Sequence, residues 1–129
     1  MNSGLIIRDA HFPGRAPIDA YGNGGFRFAE MSHRGSILCL PSGIHGWDPT
    51  DASALGEDDF RAVIDQAADI DILLVGTGTE MRLLPAPLRA RLREAGIHAD
   101  PMSTGSAVRT YNVLLAEDRL VAAALIAVD

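Results

Sequence analysis

Lysine is missing from this sequence. All 11 cations of the 129-residue chain are arginines, which excludes a Schiff-base lysine and the lysine of a phosphate-binding P-loop. Cysteine is almost missing, and Cys39 alone excludes an internal disulfide and any cysteine-built zinc cage. Long apolar runs are lacking as well. The longest, Leu120 to Val128, is far short of the roughly 20 residues that span a bilayer. Positive charge is in the minority, 11 basic against 17 acidic residues for a net −6. That balance argues against a nucleic-acid surface, which needs a basic patch. The first residues, Met1 to Asp9, show no basic stretch followed by an apolar core, so no signal or transit peptide is expected and the reading is a cytoplasmic protein.

What is present fits an ordinary folded domain: 47% apolar and 22% charged residues. A chain of this length is one domain's worth, residues 1–129, and buries roughly two-thirds of its unfolded surface without staples. No internal repeat or low-complexity linker divides it.

Two differently patterned halves follow one another. Residues 3 to about 50 read as β-rich. Leu5-Ile6-Ile7 is a short strand candidate. Asn23-Gly24 supplies positive φ for a hairpin, and Phe26 and Phe28 then share one face with Arg27 opposite. His33-Arg34-Gly35 reads as a second turn. Ser36 to Leu40 is a buried strand stopped by Pro41, and Ser42 to Pro49 is a loop. From residue 53 the period changes. Glu57 to Ala68 puts Phe60, Val63, Ile64 and Ala67 on one helical face, with three carboxylates in the first turn where the helix dipole favours them. Asp71 to Gly76 is a continuous apolar run, as in a strand covered on both sides. A second helix starts at Pro85 or Pro87, runs from Leu88 to Ala95 and ends at Gly96. Ile97 to Ala99 is a short strand. Ser103 or Thr104 caps a third helix bearing Ala107, Val108, Tyr111, Leu114 and Leu115. The last strand is Leu120 to Val128. This alternation predicts an α/β layered fold with a mostly parallel sheet covered by helices, and the last strand is free to return antiparallel.

Chemistry has two candidate seats. Gly76-Thr77-Gly78-Thr79-Glu80 follows a strand, and its glycines let backbone N–H groups approach an anion. It departs from a dinucleotide fingerprint because Met81 holds the third glycine's place, so no cofactor is expected. On the spacing alone, an ordinary structural turn is the favoured reading. Ser103-Thr104-Gly105-Ser106 opens the third helix with Arg109 one turn on, a set that suits a phosphate or carboxylate, while plain N-capping needs only one of its hydroxyls. If the strands before these two loops are parallel, a right-handed crossover sets both loops on one edge of the sheet, where open α/β sheets bind ligands. Gly76, Thr77, Gly78, Thr79, Ser103, Thr104 and Arg109 then form one ligand-binding crevice.

Catalytic or metal chemistry finds little purchase. Cys39 sits mid-strand as an inert core thiol, there is no G-x-S-x-G elbow, and the four histidines fall in no metal-binding pattern. Trp47 is either a partner-binding anchor or a lid folded over one end of the core.

Leu73-Leu74-Val75-Gly76-Thr77-Gly78, the loop around Trp47, and the block from Thr104 to Leu125 together resemble the Mth-type domains of unknown function. Within that block the specific segments are Thr110-Tyr111-Asn112-Val113-Leu114 and Arg119 to Leu125. The family includes a mitochondrial respiratory complex I assembly factor and an adipogenesis-associated cytosolic protein. The resemblance covers nearly the whole chain. It implies a single three-layer α/β domain with a mixed, mostly parallel central sheet, an N-terminal β-hairpin portion and a C-terminal antiparallel strand. It brings no catalytic residues with it. The chain departs from the family's habit at Gly105-Ser106-Ala107, where members often have Asn-Ala, and at Glu117-Asp118-Arg119, where they have Glu-Gly-Arg.

Three functional expectations follow. The first, implied by the resemblance, is a non-enzymatic protein-binding domain that assists respiratory complex I assembly, using the crevice edge and the Trp47 loop against complex I subunits. The second is an anionic-ligand binder or enzyme built on the two loops. The third is a homodimer in which a strand of the N-terminal hairpin pairs across a two-fold axis.

Overall fold

A computed structural model describes residues 11–129, so the expected strand Leu5-Ile6-Ile7 lies outside the described residues. The central sheet has six strands: β1 (His11–Phe12), β5 (Ser36–Leu40), β6 (Gly43–Trp47), β7 (Ile72–Gly76), β8 (His98–Met102) and β9 (Val121–Leu125), in the order β1-β6-β5-β9-β7-β8. A second, antiparallel sheet comprises β2 (Ala20–Gly22), β3 (Gly25–Phe28) and β4 (Met31–Arg34). The helices are α1 (Arg61–Asp65), α2 (Ala86–Glu94) and α3 (Thr104–Ala116).

The central sheet is mixed. Strands β8, β7 and β9 run parallel, joined through α2 and α3, while β9 meets β5 antiparallel and β5, β6 and β1 continue as antiparallel neighbours. The last strand is therefore antiparallel on one side and parallel on the other. The expected N-terminal hairpin portion stands apart as β2, β3 and β4, while β1, β5 and β6 join the central sheet and make its antiparallel part. Hairpin connections can only build antiparallel pairs.

Alternation along the strands separates two apolar layers. Leu38, Leu40, Leu73, Val75, Ala122 and Ala124 face one side, where they meet Phe60, Val63, Leu88 and Leu92 beneath α1 and α2. Ile37, Cys39, Leu74, Val121, Ala123 and Leu125 face the other, where they meet Ala107, Val108 and Tyr111 of α3 and Phe26 and Phe28 of the small sheet. The strands of the parallel part are buried on both faces, which is why they read as unbroken apolar runs.

Local chemistry explains the boundaries. Gly22 pairs with Gly25 across Asn23 (φ 53°) and Gly24 (φ 80°), the two-residue turn that Asn-Gly favours. The next turn is at Ala29 (φ 47°) and Glu30 (φ 61°), not at His33-Arg34-Gly35. Arg34 ends β4, and Gly35 carries the chain from the small sheet into β5. The predicted Glu57–Ala68 helix forms as a 3-10 turn over Glu57–Phe60, then α1, then a 3-10 turn over Ala67–Asp69. It breaks at Gln66, whose side chain leaves to bond Ser42. Phe60 and Val63 are nonetheless buried and Ile64 and Ala67 pack beside them, so the predicted face is correct. Strand β8 runs through Pro101 to Met102, beyond the predicted end at Ala99. It is an edge strand, where a residue with no N–H is tolerated.

Helices α2 and α3 end alike. Gly96 N–H donates to Arg93 O and Ile97 N–H to Leu92 O, while Asp118 N–H donates to Leu115 O and Arg119 N–H to Leu114 O. Each is a Schellman closure whose pivot is left-handed: Gly96 at φ 84° and Asp118 at φ 60°.

Candidate functional site

Parallel pairing of β8, β7 and β9 sets the segments that follow them on one edge of the sheet. The two loops singled out by sequence are thus adjacent, and they are bonded to each other. Thr104 N–H donates to Gly78 O (2.8 Å), and Gly78 N–H donates to Thr104 Oγ1 (3.0 Å). The same hydroxyl donates to Ile126 O at 2.7 Å, and Ile126 N–H returns to Gly76 O at 2.9 Å. One fully buried side chain thus ties together the exits of β7, β8 and β9. Gly76 is required by this closeness. A Cβ there would lie 2.9 Å from both Cα and Oγ1 of Thr104, inside any real contact distance.

Thr77 stiffens the rest of the first loop. Its N–H donates to Met102 O (2.9 Å). Its hydroxyl donates to Glu80 O (2.7 Å), with Met102 O also in reach at 3.1 Å, and accepts from Arg82 N–H (3.0 Å). Ser103 caps α3, its hydroxyl accepting from Ser106 N–H at 3.3 Å. Ser103 Oγ donates to Ser106 Oγ (3.1 Å), and Arg109 Nη2 donates to Ser106 Oγ (3.3 Å) from an exposed position. The donors that would have greeted an anion are therefore largely engaged within the protein.

A crevice of about 260 Å³ does lie at this edge. Thr77, Gly78 and Thr79 line it, together with Asp51, Glu80, Arg82 and the residues after β9. Ser103, Thr104 and Arg109 are not in its lining, and Gly76 lies beneath the loop against Thr104. Its charge is mainly acidic, with Asp51, Glu80 and Asp129 against Arg82. The Ser53 N–H and hydroxyl hold the Asp51 carboxyl below its ordinary range, and Arg82 adds to this, so that charge persists in mild acid.

The same loop presents apolar side chains outward. Met81 is 54% exposed and Leu83 71% exposed, on a backbone fixed by the Thr77 bonds. The sequence singles out Met81 only as the residue in the third glycine's place and Leu83 not at all, because exposure of an apolar side chain in a loop leaves no periodic signal.

Trp47 ends β6 half-buried. Its indole N–H donates to Asp59 O (2.8 Å), and the ring meets Phe60 edge-on, centroids 5.5 Å apart at 78°. The side chain closes one end of the α1–α2 layer while keeping some exposure. Cys39 is buried, and burial pushes its thiol up to about 12, only partly offset by the Tyr111 hydroxyl that donates to it. No group of three or more metal-ligating side chains converges among the described residues. Ser42 Oγ lies 3.1 Å from His45 Nε2, but the same hydroxyl also accepts from Gln66 Nε2, so the pair pins a hairpin to α1.

The layering, with one face of a mixed sheet shared between a helix and a small antiparallel sheet, is that of the Mth938-like α/β domains. A Bordetella pertussis protein described as such a domain superposes with a TM-score of 0.76 at 24% identity, covering 87% of this chain and 85% of that one. The chain belongs to the family described as protein of unknown function (DUF498/DUF598), whose model matches residues 18–126. A Bartonella henselae crystal structure, described as that of an outer membrane protein, is 61% identical, covering 92% of this chain and all of that one at a TM-score of 0.89. An uncharacterized Rhodobacter capsulatus protein is 43% identical over 122 residues, 95% of this chain and 93% of the relative. The mouse NADH dehydrogenase [ubiquinone] 1 alpha subcomplex assembly factor 3 is 32% identical over 123 residues. That match spans 95% of this chain and 66% of the mouse protein. No helix among the described residues is long and apolar enough to cross a membrane.

Proposed function

We propose that residues 1–129 form one protein-binding domain that assists the assembly of a respiratory NADH dehydrogenase, acting from the cytoplasm on subunits of that complex. The observation that carries this reading is the 32% identity, over nearly the whole chain, to a complex I assembly factor. The crevice edge gives it a physical means. Met81 and Leu83 stand out on a loop whose backbone is already fixed, so little ordering entropy is lost when a partner covers them. Burying one such side chain is worth about 1.5–3 kcal/mol, or roughly 10- to 150-fold in affinity.

Deleting the gene in its native host tests the reading. NADH-linked respiration and assembled NADH dehydrogenase on native gels should fall. Unchanged assembly would contradict it. Affinity purification adds a residue-level check, since Leu83→Glu should lose the co-purifying subunits that the unaltered chain retains. Fractionation of the same cells tests the cytoplasmic placement directly, which the description of the Bartonella relative makes worth doing.

A further inference from the structure

Among the described residues, no helix or second sheet packs on the outer face of the small sheet. Strand register assigns its occupants. Phe26, Phe28 and His33 point inward, so Ala20, Gly22, Gly25, Arg27, Ser32 and Arg34 point outward. Four of these six are small, which leaves backbone and short side chains as a floor, with Gly25 itself buried. At Gly25 even a Cβ would overlap the His33 carbonyl. The depression has a volume of about 270 Å³. Tyr21 also lines it, but its pairing with Phe26 sets its side chain on the inner face, with the hydroxyl against Gly105.

Charge distinguishes this hollow from the rest of the molecule. In a chain of net −6, its lining holds two arginines and no carboxylate. Gly25 pairs with Arg34 and Arg27 with Ser32, so the two arginines are diagonal neighbours, with backbones roughly 7–8 Å apart. Among the described residues no hydrogen bond or ion pair engages either guanidinium, and the salt bridges are Arg61–Asp58 and Arg91–Glu57. Asp19 and Glu30, the acids nearest in sequence, are outside the lining. Guanidinium groups present planar pairs of donors suited to a carboxylate or phosphate. The floor of backbone and small side chains suits a flat apolar body.

We propose that the outer face of β2, β3 and β4 binds a small organic anion, a carboxylate or phosphate attached to a flat apolar group, clamped between Arg27 and Arg34. The hollow holds a metabolite-sized ligand, and it is separate from the crevice at Thr77–Arg82.

Titration of the 15N-labelled chain with phenyl phosphate tests this. Saturable shifts should centre on the amides of residues 20–34. Benzyl alcohol, which lacks the charge, and inorganic phosphate, which lacks the ring, should each bind at least fivefold more weakly. Arg27→Gln and Arg34→Gln should each weaken phenyl phosphate at least fivefold, while Arg109→Gln, an exposed arginine of α3, should not. Ala20→Phe should block the floor with both arginines intact, and spectra unchanged outside 20–34 verify the fold of each variant. Shifts centred on 77–80 or 103–106, no saturation at 20–34, or arginine effects under fivefold would overturn the proposal.

Discussion

Thr104→Val removes one hydroxyl and keeps the shape of the side chain. In the wild-type chain that hydroxyl is fully buried, donates to Ile126 O and accepts from Gly78 N–H. The valine leaves both backbone groups without their partner. Each orphaned group costs about 1–3 kcal/mol, less for Gly78 because its site is only part-buried, so the expected loss is roughly 2–4 kcal/mol. Thr104→Ser is the complementary change. It keeps both bonds and removes a methyl, for a loss of roughly 1 kcal/mol. With a urea slope of about 2 kcal/mol/M for a domain of this size, the valine variant should unfold about 1–2 M earlier and the serine variant about 0.5 M earlier. Trp47 fluorescence reports the transition, since the indole is seated against Phe60. If valine proved as stable as serine, the seam joining the exits of the three parallel strands would not depend on this hydroxyl, and the account of the site would fail.

Asp118→Gly should raise stability by about 0.5–1 kcal/mol, read as a melting temperature about 2–4 °C higher, because Asp118 holds a left-handed pivot that Gly96 fills without strain in α2. Replacing Ala29-Glu30 with Asn-Gly should add about 1 kcal/mol for the same reason, measured by urea unfolding. Cys39 should resist Ellman's reagent in the folded chain at pH 8 and react fully in urea, because burial holds the thiol near pKa 12. Burial, then repulsion from His11 at a ring distance of 5.8 Å, lowers the pKa of His45 below its ordinary 6.5. The unfolded chain therefore takes up a proton that the folded chain refuses. Stability should be full above about pH 6.5 and decline below it, and His45→Gln should flatten that decline in urea midpoints compared at pH 7.5 and 5.5.

Most of the layered fold is legible in the sequence because its signals are local. Asn23-Gly24 sets the first hairpin, the apolar runs at 72–76 and 121–125 mark strands covered on both sides, and Gly96 stops α2. The turn at Ala29-Glu30 is not legible, since neither residue carries turn chemistry. Phe26 and Phe28 are held in the core on one side and Met31 packs against it on the other, and that burial forces the backbone through positive φ. The break in the first helix is hidden for a related reason. It depends on a Gln66–Ser42 contact 24 residues apart, which no periodicity records. At the site, the adjacency of the two loops could be read from strand order, but their mutual bonding could not. Hydroxyls and glycines that suit an anion suit a neighbouring backbone equally well, and here the neighbour is supplied by the fold itself.

The residues that carry the family resemblance are occupied in the same way. Thr104 joins three strand exits. Tyr111 is buried and donates to Cys39. Asn112 grips both backbone groups of Ile18, its Oδ1 accepting from the Ile18 N–H and its Nδ2 donating to the Ile18 carbonyl, each at 2.9 Å, which mimics one rung of a sheet and fastens the segment before β2 to α3. Removing any of these leaves buried or part-buried groups unpaired, so their chemistry is demanded by folding whatever the domain binds. The two proposals assign partner and ligand to exposed side chains instead: Met81 and Leu83 on the stiff loop, and Arg27 and Arg34 on the small sheet. On those proposals, a chain that kept Thr104, Tyr111 and Asn112 while changing those four should fold as this one does and lose its partner and its ligand, which circular dichroism and the binding assays above read separately.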